Sequence, residues 1–454
     1  MKNTLRTLFI FSILLCLLSG LAACGGAGGT GNADGGNASG SAQLTETFQV
    51  LYASRDLNLH EGPEEENAVL TVIQRGDPVK VYPAENGSTA SEGWSKVKYN
   101  GQDGYVNASF LSAEKPPTYE QLAQNILAGM TTEEKVGQMF LVRCRKDTAI
   151  ADLEKYGFGG YILFAGDVKG NTKDSLKTTL QGYQDASKIK MLIGVDEEGG
   201  DIVRVSKYPE FRAVPFHSPQ SLYAEGGFDL IASDTEEKAK LLASLGFNVN
   251  LAPVCDVSTS PSDYIYARTF GKGANETANY VKTVVETMNA NGIGCTLKHF
   301  PGYGSNADTH KGLSVDSRSY DMFVNSDFIP FRAGIEAGAG SILVSHNIVK
   351  CMDANLPASL SPAVHRILRD DLGFQGVVMT DDLMMDAVRQ RIGDEVSAVL
   401  AIKAGNDLIV ASDFDVQIPS VLAAVKDGNI TEERLNESVL RILEWKLRLG
   451  IISS

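Results

Sequence analysis

The sequence predicts an α/β protein, a (β/α)8 TIM-type barrel preceded by a small all-β barrel. Eight short apolar runs of strand length follow Tyr119, and segments long enough for a helix separate most of them. Strands and helices that alternate in this way are typical of a parallel sheet covered by helices. Ahead of them, residues 46–113 carry short alternating runs between turn residues, which is the pattern of a small β barrel.

The predicted barrel domain occupies residues 119–454, a length that suits eight βα units. The predicted strands are 139–143, 159–164, 191–196, 247–254, 293–299, 341–346, 376–381 and 407–410, and predicted helices include 234–245, 276–291, 361–372 and 394–404. An open doubly wound sheet is the structural alternative. However, no glycine-rich phosphate-binding turn follows the first run, as that fold would favour.

Residues 1–23 resemble the signal peptide of a bacterial lipoprotein. Lys2 and Arg6 precede an apolar run over residues 8–18, which is too short to span a bilayer. The sequence Leu-Ala-Ala-Cys then ends at Cys24. The resemblance implies cleavage before Cys24, lipidation of its sulfur, and anchoring to the outer face of the bacterial cell membrane. An ordinary secretory signal with a chance cysteine is the alternative.

A flexible linker and a small module are expected to follow the lipidated cysteine. Residues 24–45 are rich in Gly, Asn, Ala and Ser, a composition that buries too little apolar surface to fold. The module, residues 46–113, resembles a bacterial SH3-like domain in its motifs at 57–63, 93–97 and 104–111. This resemblance implies binding to peptidoglycan or another wall component. The alternative is a mere spacer, with Trp94 and Tyr105 as core residues rather than ligand contacts.

Charge and cysteine content narrow the set of partners. The formal net charge is -15, and an acidic surface repels the phosphate backbone of nucleic acids, so we expect no nucleic-acid partner. None of the six cysteines forms a C-x-x-C pair, and no zinc or redox motif follows from their spacing. The sequence leaves open whether Cys144, Cys255, Cys295 and Cys351 form disulfides.

Polar residues cluster at the ends of the predicted barrel strands, where barrel enzymes place their chemistry. These residues are Asp196, Glu197, Glu198, Asp256, Lys298, His299, His346, Asp381 and Asp382. Any one of them alone could belong to a structural ion pair. Charged groups at the ends of apolar strands are costly unless they are paired, so their convergence on one rim predicts a site for a polar ligand.

A Gly- and Pro-rich loop leaves the strand end at Lys298 and His299 and continues to His310. Asp308 and His310 are two residues apart, close enough for the carboxylate to orient the imidazole and stabilise its protonated form. A histidine in that position can serve as both acid and base near neutral pH. The loop therefore predicts a proton-transfer pair.

Six motifs, in this order, resemble glycoside hydrolase family 3, in particular its single-barrel β-N-acetylglucosaminidase branch. They lie at residues 130–138, 195–200, 251–257, 267–271, 298–302 and 379–385. The resemblance implies that Asp381 is the nucleophile, that His310 is the acid/base and that Asp308 orients it. It further implies that the sugar is held by Asp196, Arg204, Arg268, Lys298 and His299.

Three departures from the family pattern concern the surroundings of the first sugar. Tyr303 stands where the motif commonly has a second histidine, the loop from Gly304 to Asp308 is one residue short, and Asp201 replaces a usual arginine. These departures put the identity of the leaving saccharide in doubt more than the reaction.

The expected function is retaining, exo-acting hydrolysis of terminal β-linked GlcNAc through a glycosyl-aspartate. GlcNAc-containing saccharides or muropeptides are the expected substrates. A GlcNAc glycoside phosphorylase and a non-catalytic wall-binding lipoprotein are the alternatives, and the 2-acetamido group could act as nucleophile in place of Asp381. No metal or organic cofactor is expected, because no histidine or acid stands in a recognised ligand spacing.

Overall fold

The computed structural model describes residues 48–65, 67–83, 93–306, 314–385, 388 and 392–453. The predicted signal peptide, Cys24 and the predicted linker lie outside these residues, as do Asp308 and His310. The chain from Phe48 onward forms one unit.

Seven strands build one antiparallel sheet in the first part of this unit. They are β1 (Gln49–Ala53), β2 (Leu57–His60), β3 (Val69–Ile73), β4 (Pro78–Val81), β5 (Trp94–Tyr99), β6 (Gln102–Asn107) and β7 (Leu111–Ser112). Their order in the sheet is β3-β2-β6-β5-β4-β1-β7. Alternate side chains turn inward, and Leu59, Ile73, Val79, Val97 and Val106 form a fully buried core. This confirms the predicted small all-β barrel.

Eight parallel strands form the second sheet. They are β8 (Phe140–Arg143), β9 (Gly160–Leu163), β10 (Leu192–Val195), β11 (Val249–Asn250), β12 (Gly294–Phe300), β14 (Ser341–Val344), β16 (Val377–Thr380) and β17 (Ile409–Ala411). Two two-residue strands, β13 (Val315–Asp316) and β15 (Ile348–Val349), pair with each other outside it.

The parallel sheet runs in chain order and returns on itself. The order is β16-β14-β12-β11-β10-β9-β8-β17, and a bridge between Met379 and Leu408 joins the last strand to β16. An open doubly wound sheet would not meet itself in this way, so the (β/α)8 barrel is confirmed. All residues of β9, β10, β14, β16 and β17 are buried, as expected for strands covered on both faces.

Helices cover the outside of the barrel. Their bounds are Tyr119–Ala128, Thr132–Gln138, Ala149–Tyr156, Ala165–Val168, Lys173–Ala186, Pro219–Leu245, Ala274–Ala290, Tyr320–Met322, Phe328–Glu336, Pro362–Arg366, Asp394–Ala404, Phe414–Lys426 and Glu432–Arg448. The first two begin at Thr118 and Thr131, each of which caps its helix by accepting the backbone N–H three residues on. The helix Pro219–Leu245 is interrupted by non-helical backbone at Gly226 and Gly227.

The last helix also contacts the small β module. Arg448 donates to Asp56 at 2.5 Å and to Gln74 at 2.8 Å, and its guanidinium lies 4.9 Å from the ring centroid of Tyr119. Arg75 of the module donates through Nε to the carbonyl of Pro117 at 2.9 Å. The module thus contacts both Pro117, in the segment that joins it to the barrel, and the last helix.

Cys144, Cys255, Cys295 and Cys351 are all free thiols. Burial raises the pKa of Cys144 to about 11, so its thiol stays protonated at neutral pH. Within the part of the chain that the structure describes, no helix combines the length and the apolar character needed to cross a bilayer.

Candidate functional site

The fold brings the predicted sugar-binding residues to one end of the barrel. Asp196 follows β10, Arg268 ends a short turn after β11, and Lys298 and His299 lie in β12. Arg204 lies in the long connection after β10, and Asp381 directly follows β16. All of these positions are at the carboxyl ends of parallel strands, where a barrel can gather side chains from several strands.

Lys298 is the centre of a buried charge network. Its Nζ donates to Asp196 Oδ1 at 2.6 Å and to Glu198 Oε1 at 2.7 Å. Glu198 in turn accepts two bonds from Arg268, at 3.0 Å from Nε and 2.7 Å from Nη2. Such paired donation to a carboxylate fixes both position and orientation. The two cations thus hold the two acids in one rigid group.

The charges in this network sustain one another. Burial raises the pKa of Glu198, but the Lys298 ammonium and the Arg268 guanidinium outweigh it and hold that pKa well below its usual range. Burial lowers the pKa of Lys298, and Asp196 and Glu198 raise it above its ordinary value. Glu198, Lys298 and Arg268 are therefore charged at neutral pH.

The four charged side chains of the network differ in how accessible they are to solvent. The side chains of Lys298 and Glu198 are 3% and 4% exposed, whereas Asp196 and Arg268 retain 14% and 17%. An accessible carboxylate beside an accessible guanidinium offers a hydrogen-bond acceptor and several donors. A sugar ring with neighbouring hydroxyl groups is matched to such a pair.

His299 is held beside this network by Asp256. Its Nδ1 lies 2.8 Å from Asp256 Oδ2, and its Nε2 lies 3.2 Å from Arg268 Nη2. Asp256 also accepts the backbone N–H of Tyr303 through Oδ1 at 2.7 Å. Tyr303, the departure from the family motif, is buried and packs edge-on against the His299 ring at 5.2 Å between centroids. It fills space behind the histidine.

The adjacent acid Glu197 does a different job from Glu198. Its fully buried carboxylate accepts the backbone N–H groups of Arg204, Val205 and Ser206 at 2.7 to 3.1 Å. This shapes the loop that carries Arg204. The Arg204 guanidinium lies 5.9 Å from the ring centroid of Phe164, and its buried Nε has no hydrogen-bond partner among the described residues. Within that part of the chain, no ion pair joins Arg204 to the Lys298 network, although Arg204 lies on the same rim.

Two aspartates follow β16, and their surroundings differ. Asp382 accepts Ser412 Oγ at 2.6 Å and the Met384 N–H at 3.0 Å. Burial raises its pKa. Asp381 accepts the Asp382 N–H through Oδ1 at 2.9 Å. Asp382 is thus occupied in holding the loop.

Two neighbouring strands support this aspartate pair. His346, after β14, lies with Nε2 3.0 Å from the Asp382 carbonyl oxygen and with Nδ1 2.7 Å from Ser359 Oγ. Ser412, after β17, bonds the Asp382 carboxylate from the other side. Asp382, the neighbour of the nucleophile candidate, is therefore held by residues that follow both flanking strands.

Their position at strand ends predicted that Glu198, Asp256 and His346 belong to the polar rim. It did not predict that their partners are Arg268, His299 and Asp382. Ser412 was missed, since a lone serine after an apolar run carries no signal. Among the described residues, no group of three or more His, Cys, Asp and Glu side chains is arranged to hold a metal ion.

A family model described as the glycosyl hydrolase family 3 N terminal domain matches residues 131–445, most of the chain. The chain belongs to glycosyl hydrolase family 3. Within this family-3 chain, a second model, the bacterial SH3 domain, matches residues 55–112. Strands β2 to β7 lie within that second match, and β1 precedes it.

Relatives of this family-3 protein carry hexosaminidase names. "Beta-hexosaminidase A" of Pseudoalteromonas piscicida is 28% identical over 65% of this chain, which covers 54% of that protein. "Beta-hexosaminidase" of Xylella fastidiosa (strain M23) is 35% identical over 50% of this chain and 68% of its own length. The chain thus spans little more than half the length of the first of these relatives.

A solved structure agrees with the fold. A glycoside hydrolase family 3 β-N-acetylglucosaminidase from Paenibacillus sp. str. FPU-7 superposes with a TM-score of 0.67 at 28% identity, over 72% of this chain and 64% of that one.

Proposed function

We propose that the protein is a retaining, exo-acting β-N-acetylglucosaminidase that releases terminal β-linked GlcNAc. The observation that carries the proposal is the Asp196–Lys298–Glu198–Arg268–His299 network on the same rim as Asp381, in a family-3 chain whose relatives carry hexosaminidase names. A buried hydrogen-bonded array that leaves one acid and one guanidinium accessible suits sugar hydroxyl groups better than it suits an apolar ligand.

The mechanism assigns one role to each side chain. Asp381 attacks the anomeric carbon while His310, oriented by Asp308, protonates the leaving oxygen; the glycosidic bond breaks and a glycosyl-aspartate forms. His310 then takes a proton from water, which displaces Asp381 and restores both groups. Asp196, Arg268, Lys298 and His299 would hold the hydroxyl groups, and Arg204 the outer side of the sugar.

Hydrolysis of p-nitrophenyl β-GlcNAc by the purified protein tests the activity. We expect release of p-nitrophenol, with the β anomer of GlcNAc appearing first by NMR, because two displacements retain configuration. Initial release of the α anomer, or no turnover, would refute the proposal. Sugar 1-phosphate formed on addition of phosphate would favour a phosphorylase instead.

The same proposal extends to location and natural substrate. A lipid on Cys24 would hold the barrel outside the cell membrane, and a wall-binding module would raise the local concentration of peptidoglycan fragments. We therefore propose muropeptides or GlcNAc-MurNAc saccharides as substrates. Cys24→Ala should move the protein from the membrane fraction to the medium; unchanged membrane association would exclude the anchor.

One face of the module supports a binding role. The module's three lysines, Lys80, Lys96 and Lys98, lie on this face beside Phe48 and Tyr82. Their ammonium groups lie between 5.1 and 5.9 Å from one of these two ring centroids. Lys80 and Lys98 stand directly opposite each other across β4 and β5, a like-charge pair that costs stability, and Asp103 pairs with Lys98 at 3.6 Å. An anionic wall polymer would supply further negative charge to this face, and the rings would pack on its sugars.

A further inference from the structure

A buried ion network holds the chain on both sides of residues 307–313, the segment in which the sequence places Asp308 and His310. Its centre is Arg318. This arginine bonds Asp316 Oδ2 through Nε at 2.9 Å, both oxygens of Asp327 through Nη1 at 2.9 and 3.0 Å, and the carbonyl oxygen of Gly302 through Nη2 at 3.1 Å. The side chains of Asp316 and Asp327 are 2% and 1% exposed.

On the amino-terminal side, residues 302–306 lie directly against this network. Asn306 Nδ2 donates to Asp316 Oδ2 at 2.6 Å and to the Tyr303 carbonyl at 2.7 Å. Gly302 and Gly304 have positive φ values of 125° and 53°, and a Cβ on either would collide with Asp327 or Arg318. Glycine at both positions lets the backbone approach this closely.

On the carboxyl-terminal side, residues 314–316 are fixed by β13 and β15. The Ile348 N–H donates to the Ser314 carbonyl at 2.9 Å, and the Lys350 N–H donates to the Asp316 carbonyl at 2.9 Å. Asp316 therefore meets Asn306 from one side of the segment and Arg318 from the other. The two sides are joined through one carboxylate.

The network is also continuous with the sugar-binding part of the rim. Tyr303, which lies between the two close-packed glycines, donates its N–H to Asp256, and Asp256 holds the His299 ring. The positions of the sugar-binding histidine and of residue 303 are thus set by one carboxylate. A displacement of Gly302 would therefore disturb both the ion network around Arg318 and the position of His299.

We propose that Arg318, with Asp316 and Asp327, is the positioning element for proton transfer to the leaving oxygen, an inference that rests on the proposed function. General acid catalysis requires the donor to stay within hydrogen-bond reach of one oxygen, and small misplacements of a positioned group cost large factors in rate. Well-packed apolar residues would serve stability alone at least as well as a buried ion network. The network instead fixes the spacing between the two ends of the segment that holds the acid.

Leaving-group dependence tests this directly. A GlcNAc disaccharide needs protonation of its leaving oxygen, whereas the dinitrophenolate of 2,4-dinitrophenyl β-GlcNAc leaves without protonation. In Arg318→Met and Asp316→Asn we expect kcat/KM for the disaccharide to fall about 100-fold, the lower range for a lost general acid, and kcat/KM for the dinitrophenyl substrate to change less than about threefold. Arg332→Met removes another arginine, an exposed one that donates to the Asp371 carbonyl, and should leave both values unchanged.

The outcomes separate the inference from the function on which it rests. An equal loss on both substrates, or no loss on either, would overturn the positioning role while the wild-type activity stands. A wild-type protein that hydrolyses neither substrate would overturn the proposed function itself. Arg318→Lys retains the positive charge but cannot reach all three partners, so it provides the same comparison if Arg318→Met does not fold.

Discussion

Two buried clusters of charge lie at opposite ends of the barrel, and they are built differently. At the carboxyl end of the strands, Lys298 joins Asp196 and Glu198. At the amino end, Asp407 precedes β17 and meets Arg369, Arg434 and Arg441 at 2.6, 3.5 and 3.1 Å. Both clusters contain carboxylates that the surrounding cations keep ionised.

The two clusters differ in whether any of their charged groups stays accessible to solvent. The Asp407 carboxylate is 0% exposed and also accepts Ser438 Oγ at 2.7 Å and the Val378 N–H at 3.0 Å. Burial raises its pKa, but the three arginines hold it below its usual value. No access to solvent remains for a ligand. At the other end Asp196 and Arg268 stay accessible, so only that cluster can act on a ligand. A saturated charge cluster is structural, and an open one is a candidate site.

Loss of the nucleophile gives the largest effect that this comparison predicts. Asp381→Asn keeps the shape of the side chain but cannot form the glycosyl-aspartate, so we expect hydrolysis of p-nitrophenyl β-GlcNAc to fall by about 10⁴-fold or more. The thermal midpoint should stay within about 2 °C of the wild type. Asp415→Asn alters an exposed acid that pairs with Arg145 and should keep full activity. Retained activity in Asp381→Asn would place the nucleophile elsewhere.

The closed cluster should respond in the opposite way. Asp407→Asn leaves three arginines around a neutral group, and breaking a buried ion network typically costs about 3–5 kcal/mol in the free energy of unfolding. We expect denaturant unfolding to show that loss, with kcat/KM per folded molecule unchanged. Asp427→Asn, on the exposed turn after the helix Phe414–Lys426, is the matched control. A selective loss of activity in Asp407→Asn would contradict the division between the two ends.

A buried lysine near the amino end of the barrel strands should destabilise the fold. Lys446 is fully buried, its Nζ donates to Gln138 Oε1 at 2.7 Å, and burial lowers its pKa to about 7. Its folded pKa lies below the unfolded value of 10.5, so the unfolded chain binds the proton more tightly and stability falls as the pH drops from about 10 to 7.

Lys446→Met removes this pH-dependent contribution to the free energy of unfolding. We expect a thermal midpoint a few degrees higher at pH 7, because an apolar chain of similar length needs no hydration. The midpoint should also vary less between pH 7 and 10. Lys403→Met, an exposed lysine that pairs with Asn429, should show neither change. A lower midpoint with unchanged pH dependence would show that the Gln138 bond outweighs the burial cost.

The smallest effect concerns the module rather than the barrel. Replacing Lys80, Lys96 and Lys98 by Gln removes the cations of its basic face, and we expect binding to purified cell wall to weaken about tenfold at low salt. The same change at the exposed barrel lysines Lys169, Lys173 and Lys177 controls for net charge. Equal weakening in both variants would reduce the module to a spacer.

How far the sequence predicts these features depends on whether they are local. The eight strands follow from apolar runs, and Asp196, Lys298 and His299 follow from their position at strand ends. The partners of Asp407 do not, because Arg434 and Arg441 belong to a helix that comes later in the chain. Nothing in a local pattern selects which distant charges meet.

Lys446 illustrates the same limit on a single helix. It lies within Glu432–Arg448, an amphipathic helix in which a lysine would be expected at the surface. Its burial instead follows from the packing of this helix near Gln138. Likewise, Arg318 meets Asp327 at the end of the helical stretch that follows it, and no local pattern selects that pair.

Mass spectrometry of the enzyme after reaction with a fluorinated GlcNAc donor tests the central claim most directly. A fluorine substituent slows hydrolysis of a glycosyl-enzyme more than its formation, so the intermediate accumulates. We predict an adduct of one sugar on the peptide that contains Asp381, and none in Asp381→Asn. An adduct on Asp382, or turnover of the donor with no adduct and with retained configuration, would contradict the assignment of Asp381 as nucleophile.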